Sequence, residues 1–112
     1  MPAKPSIVFA HGLWADGSCY SKVIPALEAD GYQVVSAQNR GLFNQKLPGP
    51  AWRKEPSWHV VTDNDQTVNP ELERFVAKRM GAHTYDVDSS HVAMLSHPGF
   101  VLDVIRDAAK AV

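Results

Sequence analysis

The chain has 112 residues, of which 45% are hydrophobic and 21% are charged. These values are typical of one folded domain and exclude fibrous and intrinsically disordered proteins. Lys and Arg number 11 against 12 Asp and Glu, giving a net charge of -1, whereas nucleic-acid-binding domains usually carry a basic excess. No apolar run approaches the roughly 18 residues of a membrane span, and the opening MPAKPS lacks the apolar core of a signal peptide. We therefore expect a cytoplasmic domain that binds neither nucleic acid nor a membrane.

The first half, residues 1–38, has the pattern β-α-β. Residues 6–10 form a short, almost continuous apolar run, which is typical of a strand buried on both faces. A helical pattern follows and ends at Gly31, which suits a left-handed cap, while Pro25 inside the pattern predicts a late start or a kink. Residues 33–37 are predicted as the second strand.

A linker over residues 39–56 separates the two halves. Gly and Pro interrupt it at several positions, and no apolar period persists through it. A loop of about 18 residues is long for a compact domain. The pattern therefore favours a functional loop, a disordered segment or a segment from which structure is missing.

The second half, residues 57–112, has the pattern β-α-β-α. Asn69 is a good N-cap, Pro70 suits the first helical position, and Gly81 ends the apolar period of this helix. The four elements are predicted over residues 58–62, 70–80 and 84–88, and from Pro98 to the C-terminus.

Strands that alternate with helices predict a parallel sheet with right-handed crossovers. We expect an α/β fold, specifically a minimal three-layer sandwich of about four parallel strands in the order 2-1-3-4, flanked by helices. The whole of residues 1–112 would form a single domain. Functional groups gather at the carboxyl ends of such strands. This rule selects the turns at residues 11–12, 63–65 and 89–91.

Those turns resemble the ones found in α/β-hydrolases, with the branch of small esterases and hydroxynitrile lyases closest. The run IVFAHGLWADGSCYSKVIPALEADGYQVVSAQ is similar to the opening of that fold, and residues 58–112 are similar to its last two strands and helices. D-Q-T-V-N-P over residues 65–70 resembles the setting of the triad acid, and S-S-H-V-A-M-L over residues 89–95 resembles that of the triad base. The resemblance implies that Asp65 and His91 are the catalytic pair.

The same resemblance implies part of an oxyanion hole at the turn formed by His11 and Gly12, since the family's other donor is the amide that follows its nucleophile. The amides of Leu13 and Trp14 would be its donors, because the chain turns sharply there after a strand. His11 would orient this turn through a backbone hydrogen bond. Ser18 lies near the same end of the sheet and is either a pocket residue or a cap of the first helix.

The G-x-S-x-G nucleophile elbow of the family is missing from this sequence. Residues 39–50 stand where the elbow, its helix and the lid of a complete member would lie, so the chain looks like an α/β-hydrolase with its middle removed. The usual serine nucleophile therefore has no counterpart here. Ser18, Cys19, Ser89 and Ser90 remain as alternative nucleophiles, each with a simpler explanation as a cap, turn or core residue.

Neither a metal nor a cofactor is predicted. Cys19 is the single cysteine, which excludes an internal disulfide and a cysteine-built zinc site. The five histidines show neither H-x-x-x-H nor H-x-H spacing. Asp63 is a rival for the acid of the catalytic pair, although a solvated aspartate in a turn explains it better.

Three functions stay open on these grounds. The first is a weak hydrolase acting on small esters or related acyl compounds through the His91 and Asp65 pair. The second is an inert remnant or binding module with a pocket lined by Trp14, Trp58 and Met94. The third is a hydroxynitrile-lyase-like acid/base enzyme, because that cleavage needs no acyl intermediate.

The implied partners are a small ester-like molecule and a second copy of the chain. Removing the middle of the fold leaves an apolar edge or sheet face beside the first strand, and such a surface recruits another chain. We therefore expect a homodimer, formed either through a two-fold interface or by exchange of the two halves across the linker.

Overall fold

The computed structural model describes residues 4–10, 17–37, 49 and 53–112. Within these ranges the chain forms four strands, four α-helices and one 3₁₀ helix. In chain order they are β1 (Ile7–Ala10), the 3₁₀ helix (Gly17–Tyr20), α1 (Ile24–Ala29), β2 (Val34–Ala37), β3 (Trp58–Thr62), α2 (Pro70–Met80), β4 (His83–Val87), α3 (Ala93–Ser96) and α4 (Pro98–Ala111). In this part of the chain no helix is long and apolar enough to cross a bilayer.

The first half forms a parallel β1–β2 pair connected through α1. The register runs from Ile7 opposite Val34 to Ala10 opposite Ala37. Pro25 lies in the first turn of α1, in agreement with the predicted late helix start. The chain then reverses at a glycine with a positive φ of 93°.

The second half forms a parallel β3–β4 pair connected through α2. The predicted bounds of β3 and α2 are confirmed, and β4 begins one residue earlier than predicted. The side chain of Asn69 accepts a hydrogen bond from the Glu71 amide at 2.8 Å. Gly81 ends α2 in the left-handed region at φ 64°. These two contacts fix where α2 starts and stops, and therefore where the turn before it lies.

The mixed α/β character and the parallel pairing are confirmed, but the continuous four-stranded sheet is wrong. The described residues form two separate two-stranded sheets, β1 with β2 and β3 with β4. A parallel crossover takes a connection of a dozen or more residues, which usually includes an α-helix. Residues 39–56, rich in Pro and Gly, carry no helical period that would supply one. Residue 38 and residues 39–48 and 50–52 of this linker lie outside the described residues.

Helices, rather than strand pairing, bring the two halves together. Leu102 and Ile105 of α4 pack against the buried cluster of Phe9, Val23 and Leu27 from the first half. Around this contact the Arg106 guanidinium donates two hydrogen bonds to Asp30, at 2.7 and 3.2 Å, and Lys22 Nζ donates to the Leu95 carbonyl at 2.9 Å. The amphipathic stripe of α4 is therefore what joins the two small sheets.

Candidate functional site

Asp65 lies in the turn that follows β3. Its side chain is fully buried, at 0% exposure. Oδ1 accepts hydrogen bonds from the backbone amides of Thr67, at 2.7 Å, and Val68, at 2.8 Å. The carboxylate therefore folds the turn around itself, in the manner of an Asx turn.

The second carboxylate oxygen of Asp65 faces two side chains. Oδ2 accepts from Thr62 Oγ1 at 2.8 Å and contacts His91 Nδ1 at 2.7 Å. Burial would raise the pKa of Asp65, but hydrogen bonds from the Val68 amide, His91, Thr62 and the Thr67 amide together hold it well below its usual range. Asp65 is therefore a carboxylate at neutral pH, with four donors directed at it.

His91 lies in the turn after β4, and its imidazole is half exposed. Because β3 and β4 are adjacent parallel strands, their carboxyl ends bring the two turns together. The Asn64 amide, for example, donates to the Ser89 carbonyl at 3.1 Å. A carboxylate only accepts hydrogen bonds, so Nδ1 of His91 carries the proton and Nε2 is the basic nitrogen of the neutral ring.

A cleft of about 190 Å³ opens beside His91. One wall consists of apolar side chains from α2 and the turn before it, and the other polar groups at the cleft come from β3 and α2. The lining residues are His59, Val68, Leu72, Glu73, Val76 and His91. The combination of a basic nitrogen with an apolar wall is typical of a site for a small organic molecule.

Two residues of this cleft, His59 and Glu73, were missed by sequence reasoning. Glu73 is buried and shares the inward face of α2 with Ala77, four residues later. Its two oxygens each lie 3.1 Å from the Thr62 hydroxyl, and Oε1 accepts from the Thr62 amide at 3.3 Å. The sequence did contain a signal for Glu73, because it lies four residues before Ala77 on the inward face of α2. Carboxylates are rarely buried without a partner, so this position indicates one.

The predicted oxyanion residues His11, Gly12, Leu13 and Trp14 lie outside the described residues. Ser18 lies in the 3₁₀ helix, is exposed, and belongs to a turn that packs against α3. The structure therefore places the 3₁₀ helix that contains Ser18 against the helix that follows His91 in the chain.

The alternative acid and one alternative nucleophile are engaged elsewhere. Asp63 forms a surface ion pair with Arg74 of α2. The Ser89 hydroxyl donates to the Ser90 carbonyl at 3.0 Å and lies 2.6 Å from Ser96 Oγ. Cys19 is buried, as expected of a small core residue.

Trp58 and Met94, predicted to line a pocket with Trp14, do not line this cleft, and Trp14 lies outside the described residues. Trp58 stacks on His83 with ring centroids 5.0 Å apart, because these two residues are opposite each other in the β3–β4 register. Stacking of this kind between neighbouring strands stabilises the sheet. The apolar wall of the cleft comes instead from α2 and the turn before it.

Among the described residues, no three His, Cys, Asp or Glu side chains are grouped as ligands for a metal ion. The site is therefore built from an imidazole, a buried carboxylate and an apolar wall. No family model matches the chain. Neither the curated proteins nor the solved structures include a significant match to it.

Proposed function

We propose that this chain is a weak hydrolase of small esters, with His91 as the general base and Asp65 as the residue that orients it. One observation carries the proposal: a fully buried carboxylate with four donors holds His91 Nδ1 at 2.7 Å, while the same imidazole lines a cleft. The resemblance to α/β-hydrolases supports the same reading, as a truncated member of that fold.

The proposed chemistry needs no covalent intermediate. His91 Nε2 removes a proton from a water molecule as its oxygen attacks the ester carbonyl carbon. Asp65 stabilises the imidazolium that forms and keeps the ring in the correct tautomer. General-base assistance of this kind contributes about 10²- to 10⁴-fold. The activity is weak because the family's serine nucleophile has no counterpart in the sequence.

The size of the cleft favours short acyl groups. Its volume of about 190 Å³ is below the roughly 300 to 1,000 Å³ of pockets that hold drug-sized ligands. Val68, Leu72 and Val76 supply an apolar wall for a chain of a few carbons. We therefore expect acetyl to butyryl esters to be preferred over longer ones.

The test is hydrolysis of p-nitrophenyl acetate and butyrate by the wild type, His91→Ala and Asp65→Asn. The wild-type rate above buffer should fall by about 10²-fold or more in both variants. His97→Ala is a matched control, because His97 is an exposed histidine that contacts Ser96 rather than Asp65. A wild-type rate equal to buffer, or one that His91→Ala leaves unchanged, would support the inert remnant instead.

A further inference from the structure

A second histidine faces the cleft that His91 occupies. His59 lies in β3 with its side chain 25% exposed, and it lines the same 190 Å³ cleft. Its Nε2 is 3.9 Å from Oε1 of the buried Glu73, a distance at which a protonated imidazole forms an ion pair rather than a direct hydrogen bond. His59 therefore lies near the Glu73 carboxylate, without the direct hydrogen bond that joins His91 to Asp65 at 2.7 Å.

The two carboxylates are linked through one hydroxyl. Thr62 Oγ1 lies 2.8 Å from Asp65 Oδ2 and 3.1 Å from each oxygen of Glu73. A threonine hydroxyl has a single proton, so it donates to one carboxylate at a time. Thr62 therefore lies between the two carboxylates, and each carboxylate lies beside one imidazole of the cleft, Asp65 at 2.7 Å from His91 and Glu73 at 3.9 Å from His59.

We propose that His59 is a second acid–base residue of this site, acting as the general acid while His91 acts as the general base, and that Glu73 and Thr62 position it. The inference rests on the proposed ester hydrolysis and names the residue that would complete it. A site without a serine nucleophile must activate water and protonate the leaving group in one assembly, and two imidazoles at one cleft provide both groups.

The proposed step uses one water molecule and both imidazoles. His91 Nε2 accepts a proton from water, and the water oxygen bonds to the carbonyl carbon. The bond from that carbon to the leaving oxygen breaks, and a His59 imidazolium transfers its proton to that oxygen. The products are a carboxylic acid and an alcohol. His91 now holds the proton taken from water and His59 has lost its own, and proton exchange with solvent restores the starting state.

Leaving-group dependence separates the two histidines. An alkoxide needs protonation as it leaves, whereas p-nitrophenolate is stable enough to leave with little help. His59→Gln should therefore lower kcat/KM for ethyl butyrate by about 100-fold and for p-nitrophenyl butyrate by less than about tenfold. His91→Gln should lower both by similar factors. Thr62→Val removes the hydroxyl that contacts both carboxylates and should lower both reactions, and Thr62→Ser should restore them.

His97→Gln is the matched control and should change neither ester. Equal losses on both esters in His59→Gln, in a protein that keeps His91-dependent hydrolysis, would overturn the role of His59 while leaving the proposed function standing. If the wild type hydrolyses neither ester faster than His91→Gln does, the proposed function itself is contradicted.

A second measurement does not depend on turnover. Sodium butyrate, which carries the acyl group of the test ester, should shift the imidazole resonances of both His59 and His91 in a saturable manner. The resonances of His83 and His97, which do not line the cleft, should stay in place. A shift confined to His91, or no saturable shift at either ring, would overturn the two-histidine site.

Discussion

Asp65 combines three roles in one side chain. Its Oδ1 closes the turn after β3 through two backbone amides, and its Oδ2 connects that turn to Thr62 and His91. Because all four donors lie around a fully buried group, the negative charge is stabilised without exposure to water. The position of His91 therefore depends on the same carboxylate that shapes the loop.

Asp65→Asn should separate orientation from folding. The amide keeps an oxygen for the Thr67 and Val68 amides, but its nitrogen faces His91 and favours the ring tautomer with an unprotonated Nδ1. Nε2 would then carry the proton and lose its basic lone pair, so kcat should fall by about 10³- to 10⁴-fold. Denaturant unfolding should show a loss of only about 1 to 3 kcal/mol. A variant that keeps its kcat would contradict the orienting role.

The free energy of unfolding should fall at acidic pH. The folded-state pKa of Asp65 lies well below that of an unfolded aspartate, near 3.8, so the unfolded chain takes up this proton first as pH drops. The stability from Asp65 is complete above about pH 5 and is lost as pH falls through the unfolded and then the folded pKa.

Urea unfolding between pH 7 and pH 2.5 measures this contribution. The difference in stability between the wild type and Asp65→Asn should shrink as pH falls. Asp63→Asn, at an exposed aspartate two residues away, should run nearly parallel to the wild type. A gap between the wild type and Asp65→Asn that stays constant with pH would contradict the assignment.

Sequence could indicate Asp65 and His91 because each sits in a recognisable turn after a strand. It could not indicate His59 or Glu73 in the same way. His59 belongs to the middle of a strand, and its relation to Glu73 depends on how α2 packs across β3. That packing is tertiary structure, and it cannot be deduced from the strand pattern or the helix pattern alone.

At the scale of elements, α2 has a clear beginning and end. Asn69 caps its first turn, and Gly81 closes its last turn at φ 64°. The sequence predicted both ends because N-cap, N1 proline and C-terminal glycine signals coincide there.

The 3₁₀ helix and α3 were not predicted, because four residues are about one helical turn and show no apolar period.

A pair of glycine substitutions tests the C-terminal cap of α2. A Cβ added at Gly81 or at Gly99 would meet no atom within 4 Å, so only backbone conformation distinguishes the two sites. Gly81→Ala should cost about 1 to 2 kcal/mol, since a left-handed φ disfavours Cβ. Gly99→Ala, in the first turn of α4, should stabilise by up to about 1 kcal/mol. Thermal unfolding midpoints that move in the same direction would contradict this account.

At the scale of the whole molecule, two small sheets share one helix. Leu27 and Val23 are fully buried where α4 reaches the first half, and this contact stands in place of pairing between β1 and β3. The strand order could not be predicted because it depends on what the linker over residues 39–56 does. Its sequence carries no period from which a crossover or a pairing can be deduced.

An apolar face on the first sheet favours self-association. Val8 and Val35 are 63% and 54% exposed and lie directly opposite each other in the β1–β2 register. Adjacent exposed valines on a sheet make a surface that another apolar face covers well. We therefore expect a homodimer through this face, or one formed by exchange of the two halves.

Sedimentation at micromolar concentration should give twice the chain mass of 12.3 kDa. Val8→Lys should shift the dimer toward the monomer by placing charge on the shared face. Val112→Lys changes an even more exposed valine directly after α4 and should leave the mass unchanged. A wild-type mass of 12.3 kDa with cooperative unfolding would rule out the dimer.

The central claim is that His91 activates water directly, without an acylated side chain. Rapid mixing of the wild type with p-nitrophenyl acetate, followed by mass measurement of the quenched chain, tests it most directly. We predict linear p-nitrophenolate release with no initial burst, no acetyl addition to any serine or cysteine, and loss of the rate in His91→Ala. A burst stoichiometric with the chain, together with an acetyl group on Ser18, Cys19, Ser89 or Ser90, would contradict the account.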